Sequence, residues 1–146
     1  MKIVVNEIPR NGLFLEEKKT AKELDLERGD FEFEAPVSIR VDVDRNPTSV
    51  HIRMEITSGM SFQCGRCLKR IAQPIERKID FIKSADEEKI IDLTQIAREE
   101  IILDYPVKLI CSPDCKGICP ECGMELNRRS CSCAKTSTLR NPGLKI

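Results

Sequence analysis

Cysteines are the residues of this sequence whose type and spacing can do chemistry. Six of the eight lie between residues 111 and 133, and two form a separate knuckle near the middle of the chain. Four thiolates close a tetrahedral zinc site, so eight thiols grouped in pairs predict two closed four-cysteine sites. The eight candidate ligands are Cys64, Cys67, Cys111, Cys115, Cys119, Cys122, Cys131 and Cys133.

The run Cys119-Pro120-Glu121-Cys122-Gly123 is the sharpest of these pairs. Two ligands from one tight turn can occupy two adjacent corners of a tetrahedron. Proline stiffens such a turn, and the glycine after the second cysteine can adopt a positive φ that lets backbone N–H groups point at sulfur. This pattern favours a zinc-ribbon-like knuckle.

Two groupings of the four cysteine pairs remain open. The favoured grouping has a first set of Cys64, Cys67, Cys111 and Cys115, and a second set of Cys119, Cys122, Cys131 and Cys133. The second set is local, so closing it costs little chain entropy. The other grouping joins the 111/115 pair to the 119/122 pair, which would crowd the turn between residues 115 and 119.

Three other interpretations of the cysteines compete with zinc. A disulfide framework needs a secreted context, whereas the N-terminus has only the short apolar run Ile3-Val4-Val5 and no signal-peptide cleavage site. The sequence therefore predicts a cytoplasmic protein, whose thiols stay reduced, with no membrane-spanning segment. Redox chemistry at Cys64 and Cys67 needs a thiol free of metal. Iron is not excluded, because four sulfurs suit it as well.

Neither set has the composition of a catalytic metal site. Catalytic zinc keeps a position open for water and typically includes His or Glu among its ligands. The single histidine, His51, falls on the polar side of an alternating strand. Glu99 and Glu100 are adjacent on a helix and point about 100° apart, so they do not converge on one substrate. We expect a non-enzymatic protein without a small-molecule substrate.

The overall composition allows one ordinary domain with a metal-bound appendage. The chain has 146 residues, of which 40% are hydrophobic and 4% aromatic, so the core is expected to be aliphatic and modest. Metal sites would add stability that such a core lacks. The 24 Lys and Arg residues balance the 24 Asp and Glu residues. Any nucleic-acid binding must therefore rest on local patches of charge.

Alternating hydrophobicity predicts a mainly antiparallel α+β fold. Val37 to Val43 and Val50 to Ile56 alternate apolar and polar residues, as half-buried strands do. A helix over about 92–104 is predicted, with Asp92 as N-cap and Gln95 as its capping-box partner. The predicted domains are a β-rich part at 1–104, which carries the 64–67 knuckle, and a cysteine-rich zinc module with a basic tail at 105–146.

Three shorter features complete this expectation. Ser58-Gly59 is predicted to turn the chain before the first knuckle. Pro74 is predicted to interrupt the strand that follows that knuckle. Tyr105 to Ile110 is predicted to form a short strand that leads into the cysteine-rich segment.

Basic residues flank both groups of cysteines. If a shared metal joins these segments, the cations gather on one rim and can contact phosphates. The alternative is that they only offset thiolate charge. The candidate nucleic-acid contacts are Arg66, Lys69, Arg70, Lys116, Arg128 and Arg129.

These motifs resemble the YceD family. The likeness is carried by the run 64–68 (CGRCL), by Ile91-Asp92-Leu93 with Glu99-Glu100, Leu103 and Pro106, and by the run 115–123 (CKGICPECG) with Leu126-Asn127. It extends over most of the chain after about residue 30. Members commonly end with an Asp-Pro-Arg segment, where this chain has Asn141-Pro142-Gly143 preceded by Arg140.

The resemblance implies a role in accumulation of large-subunit ribosomal RNA, and hence in ribosome biogenesis. Its implied partner is ribosomal RNA or a pre-ribosomal particle. One alternative is an adaptor that binds a ribosomal protein or assembly factor without touching RNA. Another is a thiol redox or metal-responsive protein. The sequence favours RNA binding through a basic rim near the zinc knuckles.

Overall fold

The computed structural model describes residues 1–27 and 29–133. The segment at residues 140–143, where the chain departs from the usual YceD ending, lies outside the described residues. So do the predicted basic tail and the other residues beyond Cys133.

The described residues form seven strands and one α-helix. The strands are β1 Lys2–Val4, β2 Leu13–Lys19, β3 Phe31–Phe33, β4 Val37–Arg45, β5 Ser49–Gln63, β6 Arg70–Ser84 and β7 Ile90–Asp92. The helix, α1, is Leu93–Leu103, and a 3-10 turn covers Val5–Glu7. None of the helices in this described part has the length and apolar character that crossing a membrane requires.

A five-stranded sheet is the main structural element. Its strand order is β2-β4-β5-β3, with β6 also paired to β5, and β1 pairs with β7 in a separate ribbon. The β2–β4 and β4–β5 pairs are antiparallel, with Val41 opposite both Leu15 and Met54. The predicted alternation is confirmed, because Val37, Ile39 and the other odd-numbered valines of β4 are buried. The α+β class is therefore confirmed.

The chain divides into two compact units. We call Met1–Ser61 with Ala72–Pro106 the sheet unit, and Phe62–Ile71 with Val107–Ile146 the cysteine unit, of which the structure describes residues up to Cys133. The first knuckle thus groups with the C-terminal segment. The predicted boundary at residues 104/105 stays a prediction.

An aliphatic core stabilises the sheet unit. Ile39, Ile52, Ile56 and Ile75 are fully buried, together with Ile101 of α1. Each such side chain contributes roughly 1.5–3 kcal/mol when it is removed from water. Among the described aromatic residues of this unit, Phe14 is exposed, and the others pack against that cluster while only partly buried, so the core is aliphatic as predicted.

Asp92 caps α1 as predicted, but Gln95 does not act as its capping-box partner. The Asp92 carboxylate accepts hydrogen bonds from the backbone N–H groups of Thr94 and Gln95, at 3.1 and 3.2 Å. The Gln95 side chain does not complete a capping box. Its Nε2 donates to Glu99 at 2.8 Å, because a residue four positions along the helix lies on the same face.

Two predicted breaks are wrong. β5 runs without interruption through Ser58 and Gly59, and β6 runs through Pro74. Gly59 keeps strand pairing because its carbonyl accepts a hydrogen bond from the N–H of Glu34 at 3.1 Å. Proline lacks only one N–H, and a strand bonded along one side tolerates that loss. Within the described residues, β6 is paired to β5 alone.

The predicted strand from Tyr105 to Ile110 is also wrong, since these residues form bends. Tyr105 is held by its side chain instead. Its hydroxyl donates to the Leu26 carbonyl at 3.1 Å, and its ring stacks on Phe31 with centroids 4.4 Å apart. A proline at 106 follows directly and supplies no N–H for a strand ladder.

Candidate metal centres

The first set of sulfurs converges on one point in the cysteine unit. The four Sγ atoms of Cys64, Cys67, Cys111 and Cys115 lie within 4.8 Å of one another. Cys64 Sγ is 3.9 Å from Cys115 Sγ, and Cys67 Sγ is 3.6 Å from Cys111 Sγ. Zn–S bonds of about 2.3 Å imply tetrahedron edges of about 3.8 Å. The spacing therefore fits a tetrahedral site with four sulfur ligands.

Backbone hydrogen bonds shape this first knuckle. The N–H of Leu68 donates to the Cys64 carbonyl at 2.9 Å, and the N–H of Cys64 donates to the Lys69 carbonyl at 2.8 Å. The N–H of Gly65 reaches the Leu109 carbonyl at 2.7 Å, which brings the distant 109–111 segment alongside. Ligands that lie more than forty residues apart in sequence are thus held by main-chain contacts as well as by any metal.

The second set forms around a short hairpin. The Sγ atoms of Cys119, Cys122, Cys131 and Cys133 also lie within 4.8 Å of one another. Residues 118 and 125 form an antiparallel bridge, and the N–H of Cys119 donates to the Met124 carbonyl at 2.9 Å. Gly123 has φ +71°, as predicted for the residue that follows a knuckle. The sulfurs therefore meet in the favoured grouping.

Main-chain donors bias one thiol in each set toward the thiolate. The N–H groups of Cys67 and Arg66 point at the sulfur of Cys64 and lower its pKa to about 6. The N–H groups of Cys122 and Glu121 lower the pKa of Cys119 to about 7 in the same way. Both are the first cysteine of a C-x2-C pair. A thiolate is the form that binds metal.

Crowding has the opposite effect on a second thiol in each set. The neighbouring Cys115 sulfur raises the pKa of Cys111 to about 12. The Cys122 sulfur raises the pKa of Cys133 to about 11. Four sulfurs this close cannot all ionise without a cation between them, so the donor sets fit a thiophilic divalent ion. Zinc and iron both suit such a set.

None of the eight cysteines forms a disulfide. The paired sulfurs of the first set are 3.6 and 3.9 Å apart, far beyond the length of about 2.05 Å of an S–S bond. The first set is also more enclosed than the second, since Cys64, Cys67 and Cys115 are buried while Cys122 is exposed. Oxidants and chelators therefore reach the second set more easily.

The hairpin packs its backbone against the first knuckle at Gly117. The N–H of Ile118 donates to the Arg66 carbonyl at 3.1 Å. Gly117 has φ +75°, and a Cβ placed on it would lie 2.9 Å from the same Arg66 oxygen. Only glycine allows this approach, because it has no Cβ and adopts a positive φ freely. This contact links the two sets of cysteines.

Hydrogen bonds assign different roles to the predicted basic residues. The Arg66 guanidinium donates to the Cys115 carbonyl at 2.9 Å, so it braces the first set. Arg128 pairs with Glu125 at 3.2 Å. Within residues 1–27 and 29–133, the exposed side chains of Lys69, Lys116 and Arg129 form no ion pair. Arg70 is also exposed, and it has a partner of its own.

Asn127 is a functional residue that the spacing of the cysteines does not predict. It lies between Cys122 and Cys131, inside the loop of the second set, yet its side chain contacts the first set. Its Oδ1 accepts from the N–H of Lys116 at 2.8 Å, and its Nδ2 donates to the Cys115 sulfur at 3.4 Å. This bond is the main cause of the lowered pKa of Cys115. The Leu126-Asn127 motif was its only signal in the sequence.

Substitution of Asn127 tests whether its hydrogen bond to the Cys115 sulfur strengthens metal binding at the first set. We expect Asn127→Ala to keep all eight sulfurs and to release the first metal roughly 10–100-fold more readily, since such outer contacts typically contribute that much to affinity. Metal transfer to a chromogenic chelator would resolve this as one accelerated phase. Arg128→Ala, one residue away and exposed, is the matched control. Identical release from both variants would contradict the assignment.

The remaining candidates lie in the sheet unit and contribute to neither set. His51 is on the polar face of β5 and contacts the Asp80 carboxylate. Glu100 binds Arg77 at 3.1 Å, and Glu99 accepts from Gln95. Each of these side chains therefore already forms a hydrogen bond or an ion pair with a neighbouring side chain.

Comparison with known proteins finds similarity to one family. Residues 79–145 match the family model described as large ribosomal RNA subunit accumulation protein YceD. Over these residues the chain is similar to the YceD family. The matched range contains the second set and the 111/115 pair, and it begins after the first knuckle, on which part of the resemblance rested.

Several relatives extend this match. The YceD homolog 1 of Arabidopsis thaliana, named chloroplastic, is 39% identical over 49 residues, which is 34% of this chain and 15% of that protein. The homolog of Zea mays is 41% identical over 51 residues, again 34% of this chain and 17% of that protein. An uncharacterised Bacillus subtilis protein, YlbN, is 26% identical over 135 residues, 83% of this chain and 78% of its own length.

The chain therefore spans less than a fifth of the length of the two plant YceD proteins. No solved structure matches it. The YceD name associates the family with accumulation of large-subunit ribosomal RNA.

Proposed function

We propose that this chain is a non-enzymatic zinc protein that acts in large-subunit rRNA accumulation by binding RNA through cations beside its metal centres. The observation that carries this proposal is the arrangement of the cysteine unit. The first set of cysteines joins the knuckle to Cys111 and Cys115, and the second set lies around the hairpin. Three exposed cations without an ion pair among the described residues lie on these segments. These cations are Lys69, Lys116 and Arg129.

The contacts that connect the segments support a shared basic surface. The Arg66 carbonyl bonds to Ile118, the Gly117 carbonyl accepts from Leu126 at 2.9 Å, and Arg129 N–H donates to the Glu125 carbonyl at 3.2 Å. Main-chain hydrogen bonds therefore connect the segments that contain these three cations. From here on we restrict the name basic rim to these three of the six predicted cations. Phosphate oxygens are the ligands that lysine and arginine side chains take from RNA.

Zinc is the metal that we assign to both sets. Eight sulfurs with no other ligand type match closed structural zinc sites, in which the ion holds the fold and no position stays open for substrate. Elemental analysis of protein purified without added metal is expected to give two zinc ions per chain. One ion, or iron in place of zinc, would contradict this assignment.

Neutralising the basic rim tests the RNA proposal. The variant Lys69→Gln, Lys116→Gln and Arg129→Gln removes three phosphate ligands without touching Arg66, which braces the first set. We expect binding to large-subunit rRNA fragments to weaken roughly 10–100-fold at low salt. The magnitude of the negative slope of log affinity against log salt should fall by about 2, since each single-stranded phosphate contact contributes about 0.7.

The matched control neutralises three exposed lysines of the sheet unit, Lys18, Lys22 and Lys89. It changes net charge equally and should leave the slope near the wild-type value. Equal effects of the two triple variants would show that only total charge matters. Binding of a ribosomal protein that survives both high salt and ribonuclease would instead favour the adaptor alternative.

A further inference from the structure

Leu68 occupies a backbone position that the second knuckle gives to glycine. Leu68 follows the second cysteine of its knuckle with φ +60°, and Gly123 follows Cys122 with φ +71°. Their N–H groups close the same turn, to the Cys64 carbonyl at 2.9 Å and to the Cys119 carbonyl at 2.8 Å. Glycine adopts this left-handed conformation without penalty, whereas leucine adopts it against a steric clash of its Cβ.

Packing within the described residues does not offset this strain. The Leu68 side chain is 53% exposed, whereas the nearby Met60 and Ile75 side chains are buried. Its backbone is nevertheless held firmly, because Gln63 Nε2 donates to the Leu68 carbonyl at 3.0 Å. Leu68 is thus strained, and its apolar side chain is exposed on a turn that hydrogen bonds hold in place. Such a residue is expected to contact a binding partner.

The charge around Leu68 indicates the chemistry of its partner. Residues 62–75 contain three cations, Arg66, Lys69 and Arg70, and no acidic residue. Lys69 belongs to the basic rim. The leucine therefore lies in a cationic segment, where a polyanion that also offers an apolar surface would fit.

We propose that Leu68 packs against the face of an unpaired RNA base while the basic rim holds the neighbouring phosphates. This inference rests on the proposed RNA binding and specifies the kind of RNA. Base faces are the apolar surface of RNA, and in a continuous helix stacking covers them, so an exposed face requires a loop or bulge. A lone aliphatic side chain can insert beside a base as a wedge.

The test compares two hairpin RNAs of closely matched length and charge, each closed by a non-nucleotide linker in place of a loop. One has a fully paired stem, and the other has a stem with a single bulged nucleotide. Metal-loaded full-length protein is expected to bind the bulged hairpin about fivefold more tightly, at the low end of what one base contact provides. Leu68→Gly should abolish that preference and leave the salt slope unchanged. Leu68→Met should retain it, because methionine keeps an apolar side chain of similar volume.

Stability and a second site provide controls. Leu68→Gly should melt no lower than the wild type, since it relieves the left-handed strain. A lower melting temperature would show that the leucine stabilises its own chain, and would overturn the proposal. Val107, whose side chain is 98% exposed in the same unit, is the matched control, and Val107→Ala should keep the preference for the bulged hairpin.

The outcomes separate this inference from the proposed function. Salt-dependent binding of both hairpins with equal affinity by the wild type would overturn the role of Leu68 and leave RNA binding intact. A preference that survives in Leu68→Gly would do the same. A wild-type protein that binds neither hairpin nor any rRNA fragment would overturn both.

Discussion

Stripping both metals is expected to unfold the cysteine unit completely while the sheet unit stays folded. Among the described residues, the buried cluster of the cysteine unit consists of Cys64, Cys67 and Cys115, and the aliphatic residues packed on it are Ile110 and Ile118. Burial of such a small cluster cannot offset the conformational entropy that this unit loses when it folds. Structural zinc contributes about 10–16 kcal/mol in small metal-dependent folds, so its removal eliminates the main stabilising term.

Hydrogen exchange on the full chain would measure this separation. After chelation, amides of residues 62–71 and 107–133 should exchange at the rate of an unfolded chain, and amides of β2 and β4 should stay protected. The sheet unit serves as the internal control, because its aliphatic core contains no cysteine. Persisting protection of the cysteine unit in protein shown to be metal-free would refute the structural role of the metals.

Gly117→Ala is expected to weaken metal binding at the first set strongly, whereas Gly123→Ala should weaken binding at the second set only moderately. Both glycines have a positive φ, so each alanine incurs a backbone penalty of roughly 1–2 kcal/mol. The new methyl group at position 117 would also lie 2.9 Å from the Arg66 carbonyl oxygen, and at position 123 it would meet nothing within 4 Å. Only the first substitution forces the hairpin away from the knuckle.

Metal affinity measured by competition with a chelator would separate the two variants. We expect the first site to lose roughly 100-fold or more in Gly117→Ala, since a displaced hairpin also withdraws Asn127 from the Cys115 sulfur. Gly123→Ala should lose about tenfold at the second site alone. Equal losses would mean that backbone conformation matters and that the close approach to Arg66 does not.

Local patterns were sufficient to predict the main features of this fold. The alternation of β4 and β5 follows from burial of one face, and the Asp92 cap follows from an acceptor beside free N–H groups. The cysteine spacing indicated two sets of four, and the sulfurs meet in those sets. That they bind zinc stays a prediction.

Features that depend on tertiary neighbours could not be predicted in this way. Ser58-Gly59 and Pro74 are breakers by type, yet each lies inside a strand whose pairing accommodates it. The role of Asn127 was hidden for a similar reason. Its side chain reaches back across twelve residues to the Cys115 sulfur of the first set, and this contact depends on how the hairpin folds back.

The wide separation of the two halves of the first set has a consequence for synthesis of the chain. Cys64 and Cys67 leave the ribosome long before Cys111 and Cys115, with β6, β7 and α1 made in between. Until residue 115 emerges, the knuckle has two thiols and no complete site. A chain whose translation stops earlier would keep that dithiol exposed. Completion of the first site therefore distinguishes chains that extend past residue 115 from shorter ones, which would stay open to oxidation and to proteases.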